Sequence, residues 1–211
     1  MPEATMTRGQ LITFEGIDGS GKSTQAKMLV ERLRAKGHDV IHTREPGGSV
    51  GAEEIRQLIL TGDTDRWSPE TEILLFTAAR RDHLEKTIRP ALEAGQIVVC
   101  DRFADSTRIY QGATRGDLRT KVDQLHDLMI GQEPDLTFII DMDPAIALAR
   151  GLARPDAEAR FEDFGLSFQE TVRHGFLSIA RAHSDRCVVV EGNRTADEVA
   201  AEILAIFEDR A

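Results

Sequence analysis

Thr13-Phe14-Glu15-Gly16-Ile17-Asp18-Gly19-Ser20-Gly21-Lys22-Ser23-Thr24 is the stretch around which the chain is organised. Within it, Gly16, Gly21, Lys22 and Ser23 have the G-x4-G-K-S spacing of a phosphate-binding loop. In front, Leu11, Ile12 and Phe14 form an apolar run of strand length. Behind, Ala26, Met28, Leu29, Val30 and Leu33 recur at helical spacing. A polyphosphate needs many donors close together. Gly16, Gly19 and Gly21 let the backbone turn tightly and present its N–H groups, with Ile17, Asp18 and Ser20 between them. The helix opening on Lys22, Ser23 and Thr24 adds its N-terminal dipole. Lys22 carries a mobile positive charge to β and γ phosphates, and the Ser23 hydroxyl is a candidate partner for Mg²⁺. A chance glycine-serine turn would match the letters without the flanking strand and helix.

Five short β-like runs recur along the chain: Leu11–Glu15, Val40–Arg44, Ile97–Asp101, Leu136–Asp141 and Cys187–Glu191. Longer helical patterns separate them, which predicts an α/β fold: a five-stranded parallel sheet between two layers of helices, with a short lid. The unbroken apolar run Ile97-Val98-Val99-Cys100 suits a strand buried on both faces. Ligands of such sheets gather beyond the carboxyl ends of the strands. Arg44-Glu45-Pro46-Gly47-Gly48 follows the second strand and Asp101-Arg102-Phe103 the third. Either arginine alone reads equally as a surface ion pair. Together, at two strand ends beside the glycine loop, Arg44 and Arg102 suggest a second phosphate, because the guanidinium fork suits bidentate phosphate recognition.

Between those strands, a helix over 49–60 is expected, capped by Ser49 and stopped near Gly62. A longer one opens at Trp67-Ser68-Pro69 and runs to about Ala94, divided or kinked near Pro90. Phe76 and Arg80 lie four apart on one face of it. That pair could grip a planar base, or could be a core phenylalanine beside a solvated arginine. His83 reads as a helix-surface or a hydrogen-bonded structural histidine rather than a catalyst. Ser106, Thr107, Tyr110 and Gln111 cluster hydroxyl and amide groups just after the third strand. Helices are also expected over 122–130 and 166–183, and Thr195 with Glu198 has the form of a capping box. Pro144 to Arg150 begins a helix that the polar segment 151–160 interrupts. With Arg150, Arg154 and Arg160, the region about 150–163 reads either as a phosphate-closing lid or as a solvated loop.

The 211 residues suit one domain over 10–211 behind a loose tail over 1–9. A net charge of −10 argues against a nucleic-acid partner, though not against a local cluster of arginines. Cys100 and Cys187, both in apolar runs, read as buried thiols. No apolar run approaches the ~20 residues of a membrane span. No charged-then-apolar leader precedes Leu11, so a cytoplasmic enzyme without a membrane partner is the expectation.

The chain resembles the bacterial thymidylate kinases from about Gln10 to Phe207. The resemblance is carried by the glycine loop, by Thr43-Arg44-Glu45-Pro46-Gly47-Gly48, by Leu74-Leu75-Phe76-Thr77-Ala78-Ala79-Arg80 with His83, by Ile88-Arg89-Pro90-Ala91-Leu92, and by Asp101-Arg102-Phe103 with Ser106, Tyr110 and Gln111. It implies ATP as phosphoryl donor, Mg²⁺ with Ser23 and Asp101 as candidate ligands, dTMP as acceptor, and a homodimer. It further implies that Phe76 stacks on thymine and Arg80 bonds its O4, with Thr107 and Gln111 around the base. Tyr110 crowds the sugar where a ribose carries its 2′-hydroxyl, Asp18 meets the 3′-hydroxyl, and Arg44 and Arg102 hold the acceptor phosphate. The loop interior Ile17-Asp18-Gly19-Ser20 carries no arginine. This resembles the members in which a lid arginine supplies the catalytic charge; Arg154 is the first choice here and Arg150 the next.

Overall fold

The computed structural model describes residues 8–63, 66–112, 114, 116–152 and 165–210. The five strands are β1 (Leu11–Glu15), β2 (Val40–Arg44), β3 (Ile97–Asp101), β4 (Leu136–Asp141) and β5 (Cys187–Glu191). They pair parallel throughout in the order β2-β3-β1-β4-β5. From β1 the chain builds β2 and β3 on one side, then crosses to build β4 and β5 on the other. The carboxyl end of β1 therefore lies where the connections diverge, the place where such sheets leave a crevice.

Side chains alternate across β1 because a strand has a period of two. Ile12 and Phe14 face a core shared with α1 (Lys22–Ala35) and α9 (Ala196–Arg210), through Leu29, Leu33, Ile203 and Phe207. Leu11 faces the opposite layer, with Val98, Cys100, Phe103, Leu84 and Leu92. A third cluster joins Ile17, Tyr110 and Ile139 to Phe176 and Ile179 of α8 (Gly165–Ala182). Both cysteines are free and buried, as expected. Between the layers, Thr13 and Thr137 share a hydroxyl–hydroxyl hydrogen bond of 2.8 Å, so β1 and β4 bury these polar atoms in pairs.

Two local expectations change and a third gains its geometry. Ser49 precedes α2 (Val50–Leu60) but does not cap it; its hydroxyl donates instead to Asp82 Oδ2 at 2.6 Å, on α3 (Pro69–His83). A tertiary partner has displaced the local one. Near Pro90 the helix is divided, as expected, and the division lies just upstream of the ring. Leu84–Ile88 forms a π-turn and α4 (Arg89–Glu93) continues with helical dihedrals. A ring with no N–H is accommodated by a wider turn upstream. Arg8 and Gly9, read as part of a loose tail, are held: Gly9 N–H donates to Leu92 O at 2.8 Å and Arg8 to Gln132 at 3.0 Å. The remaining helices are α5 (Ala104–Tyr110), α6 (Arg119–Met129) and α7 (Pro144–Leu152). At α9 the capping box forms, with Thr195 N–H donating to Glu198 at 3.0 Å and Glu198 N–H to the Thr195 hydroxyl at 3.4 Å.

Candidate active site

The glycine loop bridges β1 and α1. Gly16 has φ +136° and Gly19 φ +80°, a backbone region that side chains rarely enter. A Cβ on Gly19 would sit 1.9 Å from the Ala147 carbonyl oxygen, and one on Gly16 2.6 Å from the Ile140 oxygen. Only glycine lets the loop lie this close to β4 and α7. The first N–H groups of α1 have no acceptor within the helix. Ser23 and Thr24 are exposed there. The Lys22 ammonium is buried and donates to Ile17 O at 2.7 Å. Burial, then the charge of Arg102, lowers its pKa to about 8.

Arg102 reaches this loop from the end of β3. Its backbone is left-handed, with φ +68°. Nη1 donates to Ser106 Oγ at 2.8 Å and to Gly16 O at 3.3 Å. Nη2 donates to Asp18 Oδ1 and, at 3.4 Å, to the Tyr110 hydroxyl. The guanidinium also lies 5.1 Å from the centre of the Tyr110 ring. Tyr110 in turn donates to Asp18 Oδ2 at 2.9 Å. Burial opposes ionisation of Asp18, but the charges of Arg102 and Lys22 outweigh it and hold the carboxyl below its ordinary value. Burial, reinforced by the Asp18 charge, keeps the Tyr110 phenol protonated far above its usual range.

Arg44 ends β2, in register with Asp101 of β3. Its side chain is 56% exposed and pairs with Glu53 of α2 at 3.3 Å. Glu53 also accepts from Gly48 N–H at 3.0 Å. Arg44 thus has the surface ion pair allowed for it, and lies at the same sheet edge as Arg102.

Arg80 is no solvated arginine. It is 4% exposed; Nε donates to Glu45 Oε2 at 2.6 Å and Nη2 to Thr107 Oγ1 at 3.0 Å, above the Phe103 ring. Phe76 is half-buried one turn earlier. Glu45 also accepts from His83 Nδ1 at 3.0 Å, and His83 Nε2 lies 2.7 Å from the Thr43 hydroxyl. In the neutral ring this places the proton on Nδ1, with Thr43 donating to Nε2. Burial would raise the Glu45 pKa; Arg80 and His83 reverse that and lower it. His83 is the structural histidine expected. Buried Gln111 donates to Glu72 at 3.4 Å.

Two buried side-chain atoms at this edge lack hydrogen-bond partners among the described residues, Asp101 Oδ1 and Ser20 Oγ. A buried carboxylate oxygen without a donor fits a hard cation. No cluster of three or more acidic, histidine or cysteine side chains accompanies it among the described residues. That sparse set suits Mg²⁺, which takes one or two carboxylates and fills the rest of its shell with phosphate and water. Arg150 is exposed on α7, with Nη1 3.5 Å from Met142 Sδ. Arg154, Arg160 and the centre of the expected lid lie outside the described residues.

The sequence reading assigned nothing to Glu15, Glu45 or Glu53, though each holds a residue it did name. Their signal is weak: a carboxylate closing an apolar strand, one inside a turn motif, one a few residues further on.

A family model described as thymidylate kinase matches residues 14–203. The chain is 69% identical to the thymidylate kinase of Dinoroseobacter shibae over 197 residues, covering 93% of this chain and 95% of that one. It is 66% identical to that of Ruegeria pomeroyi, covering 94% of each. The crystal structure of thymidylate kinase from Ehrlichia chaffeensis superimposes with a TM-score of 0.78 at 37% identity, over 95% of this chain and 99% of that one. With a glycine cradle, a guanidinium facing it from the next strand and this likeness over nearly the whole length, the chain belongs to the thymidylate kinase family.

Proposed function

We propose that this chain transfers the γ-phosphoryl group of ATP to dTMP, giving ADP and dTDP. The observation that carries the reading is Arg102, whose one guanidinium bonds the phosphate loop at Gly16 and Asp18 and the Tyr110 hydroxyl on the acceptor side. A phosphate oxygen of dTMP forms the new bond to the γ-phosphorus, and the bond to the bridging oxygen of ADP breaks with its electron pair leaving on ADP. The monoester's second pKa is about 6, so the attacking oxygen is already ionised at neutral pH and needs no strong base. The chain's task is to bring two anions together. Lys22 and the loop N–H groups hold ATP, while Arg102 and Arg44 hold the acceptor phosphate. Ser23 and Asp101 are the residues that would hold Mg²⁺, which would supply further neutralisation of phosphate charge when bound.

The other roles in this proposal are those the family resemblance implies, and the hydrogen bonds among these residues support them. Asp18 and Tyr110, bonded to one another, border the sugar. Phe76 supplies the stacking face and Arg80, aimed by Glu45 and Thr107, the donor to the base edge, with Gln111 beside them. A nucleoside acceptor would leave two strand-end arginines without a phosphate, which favours a monophosphate. The test is ADP release across dTMP, dUMP, dCMP, AMP and thymidine. dTMP should be used best and thymidine not at all; equal use of thymidine would overturn the reading.

Phe76→Ala should raise KM for dTMP by about tenfold or more, the loss of a stacked base worth ~1–3 kcal/mol, while KM for ATP stays near wild type. Steady-state kinetics with each substrate varied in turn decides it, and an unchanged KM for dTMP removes the stacking role. The region about 150–163 serves as the lid of the single domain, with Arg154 ahead of Arg150 as the arginine that meets the transferring group. Arg154→Ala should depress kcat far more than ATP affinity; unchanged turnover would reject that choice.

The enzyme works as a homodimer. Leu58, Leu74, Leu128 and Met129 are exposed apolar side chains on α2, α3 and α6, which pack side by side. Sedimentation velocity should give a dimer that Leu128→Glu weakens, and a wild-type monomer at micromolar concentration would refute it. Two free buried thiols suit the reducing cytoplasm. No helix among the described residues is long and apolar enough to cross a membrane.

A further inference from the structure

Glu15 closes β1, immediately before the glycine loop, and its side chain is 0% exposed. Its neighbours in β1 explain why it points away from the ATP cradle: Phe14 faces α1, so Glu15 faces the opposite layer, towards the turn that carries Arg102. There the carboxylate accepts three hydrogen bonds. Phe103 N–H donates to Oε1 at 2.8 Å, Ser106 N–H to Oε1 at 3.2 Å, and the Ser106 hydroxyl to Oε2 at 2.6 Å. Because the Ser106 proton is committed to Glu15, the lone pairs of its oxygen face Arg102, whose Nη1 donates at 2.8 Å. The same Nη1 reaches Gly16 O, the residue next to Glu15 in the chain. We infer that Glu15 is a positioning residue for phosphoryl transfer: through the Ser106 hydroxyl it fixes the Arg102 guanidinium between the glycine loop and the acceptor phosphate.

This inference rests on the proposed function, in which Arg102 holds the acceptor phosphate. A backbone-only role is the competing possibility, since Oε1 caps the start of α5. Glu15→Gln separates the two. A glutamine Oε1 keeps both backbone bonds. Its Nε2, in the place of Oε2, donates to the same Ser106 oxygen that Arg102 needs, and the Ser106 proton loses its acceptor. Donors that act as one chain polarise each other, so reversing one link disturbs the next.

The experiment is a double-mutant cycle of Glu15→Gln and Ser106→Ala, with steady-state kinetics in dTMP and in ATP. Glu15→Gln should lower kcat/KM for dTMP about tenfold in the wild-type background but less than about twofold in the Ser106→Ala background, with KM for ATP unchanged in both. Glu15→Gln kinetics equal to wild type, or losses that multiply independently, would overturn the relay. If circular dichroism shows Glu15→Gln unfolded, Ser106→Ala against Ser106→Thr decides: loss in the first and recovery in the second support the hydroxyl link, and equal behaviour rejects it. A wild type that prefers another monophosphate would refute dTMP as substrate. The same cycle run with that acceptor then tests the relay, which concerns Arg102 and not the base.

Discussion

Arg102→Met should lower kcat/KM for dTMP by about 10³-fold, the scale on which a transition-state arginine acts in phosphoryl transfer. Methionine keeps the unbranched apolar stem and removes the guanidinium. The difference therefore isolates the guanidinium, which divides its donors between two sides: Nη1 to Ser106 and Gly16, Nη2 to Asp18 and Tyr110. Arg102→Lys should recover little, because one ammonium cannot span both sides of that fork. KM for ATP should move least, since the loop N–H groups and Lys22 remain. A loss smaller than about tenfold, measured with both substrates saturating in turn, would take Arg102 out of the reacting centre and with it the main support for the proposed function.

Glu45→Ala should destabilise the fold by about 3–5 kcal/mol, the penalty for removing one partner of a buried ion pair. For a chain of this size that corresponds to a melting temperature roughly 10 °C lower. Arg80 and His83, both buried, would lose the carboxylate that meets each of them. The effect carries a pH signature. The folded-state pKa of Glu45 lies below the ordinary 4.5, so its stabilisation is fully present above 4.5 and disappears as pH falls through the lowered value. Thermal melts should thus show a gap between wild type and variant that is wide at pH 7 and narrows below pH 4.5. A gap constant down to pH 3 would mean that packing, not the ion pair, is what the alanine removes. Activity should fall as well, because Arg80 loses the bond that aims it.

The five strands were legible because each is a short apolar run ended by polar punctuation, and their observed bounds coincide with those read from the residues. The capping box of α9 was legible for a similar reason: Thr195 and Glu198 satisfy each other within one turn. Ser49 shows the limit. It stands at the N-cap position of α2, but its oxygen caps no backbone N–H; its hydroxyl donates instead to Asp82, remote in sequence, in a charge-assisted hydrogen bond. Arg80 shows the same limit in the opposite sense. Helical spacing placed it on a face with Phe76, but only the approach of Glu45 from another loop makes it a buried, directed donor.

By itself the sequence determined the phosphate cradle, the parallel α/β architecture and the two arginines at strand ends. These depend on periodicity and on motifs whose parts lie within a few residues of one another. Tertiary structure alone decided which carboxylates meet the arginines of the site: Glu15 through Ser106 for Arg102, Glu45 for Arg80, Glu53 for Arg44. Each is a contact between segments apart along the chain, and its strength follows from burial and distance in space. Neither quantity is written in the spacing of residues along the chain.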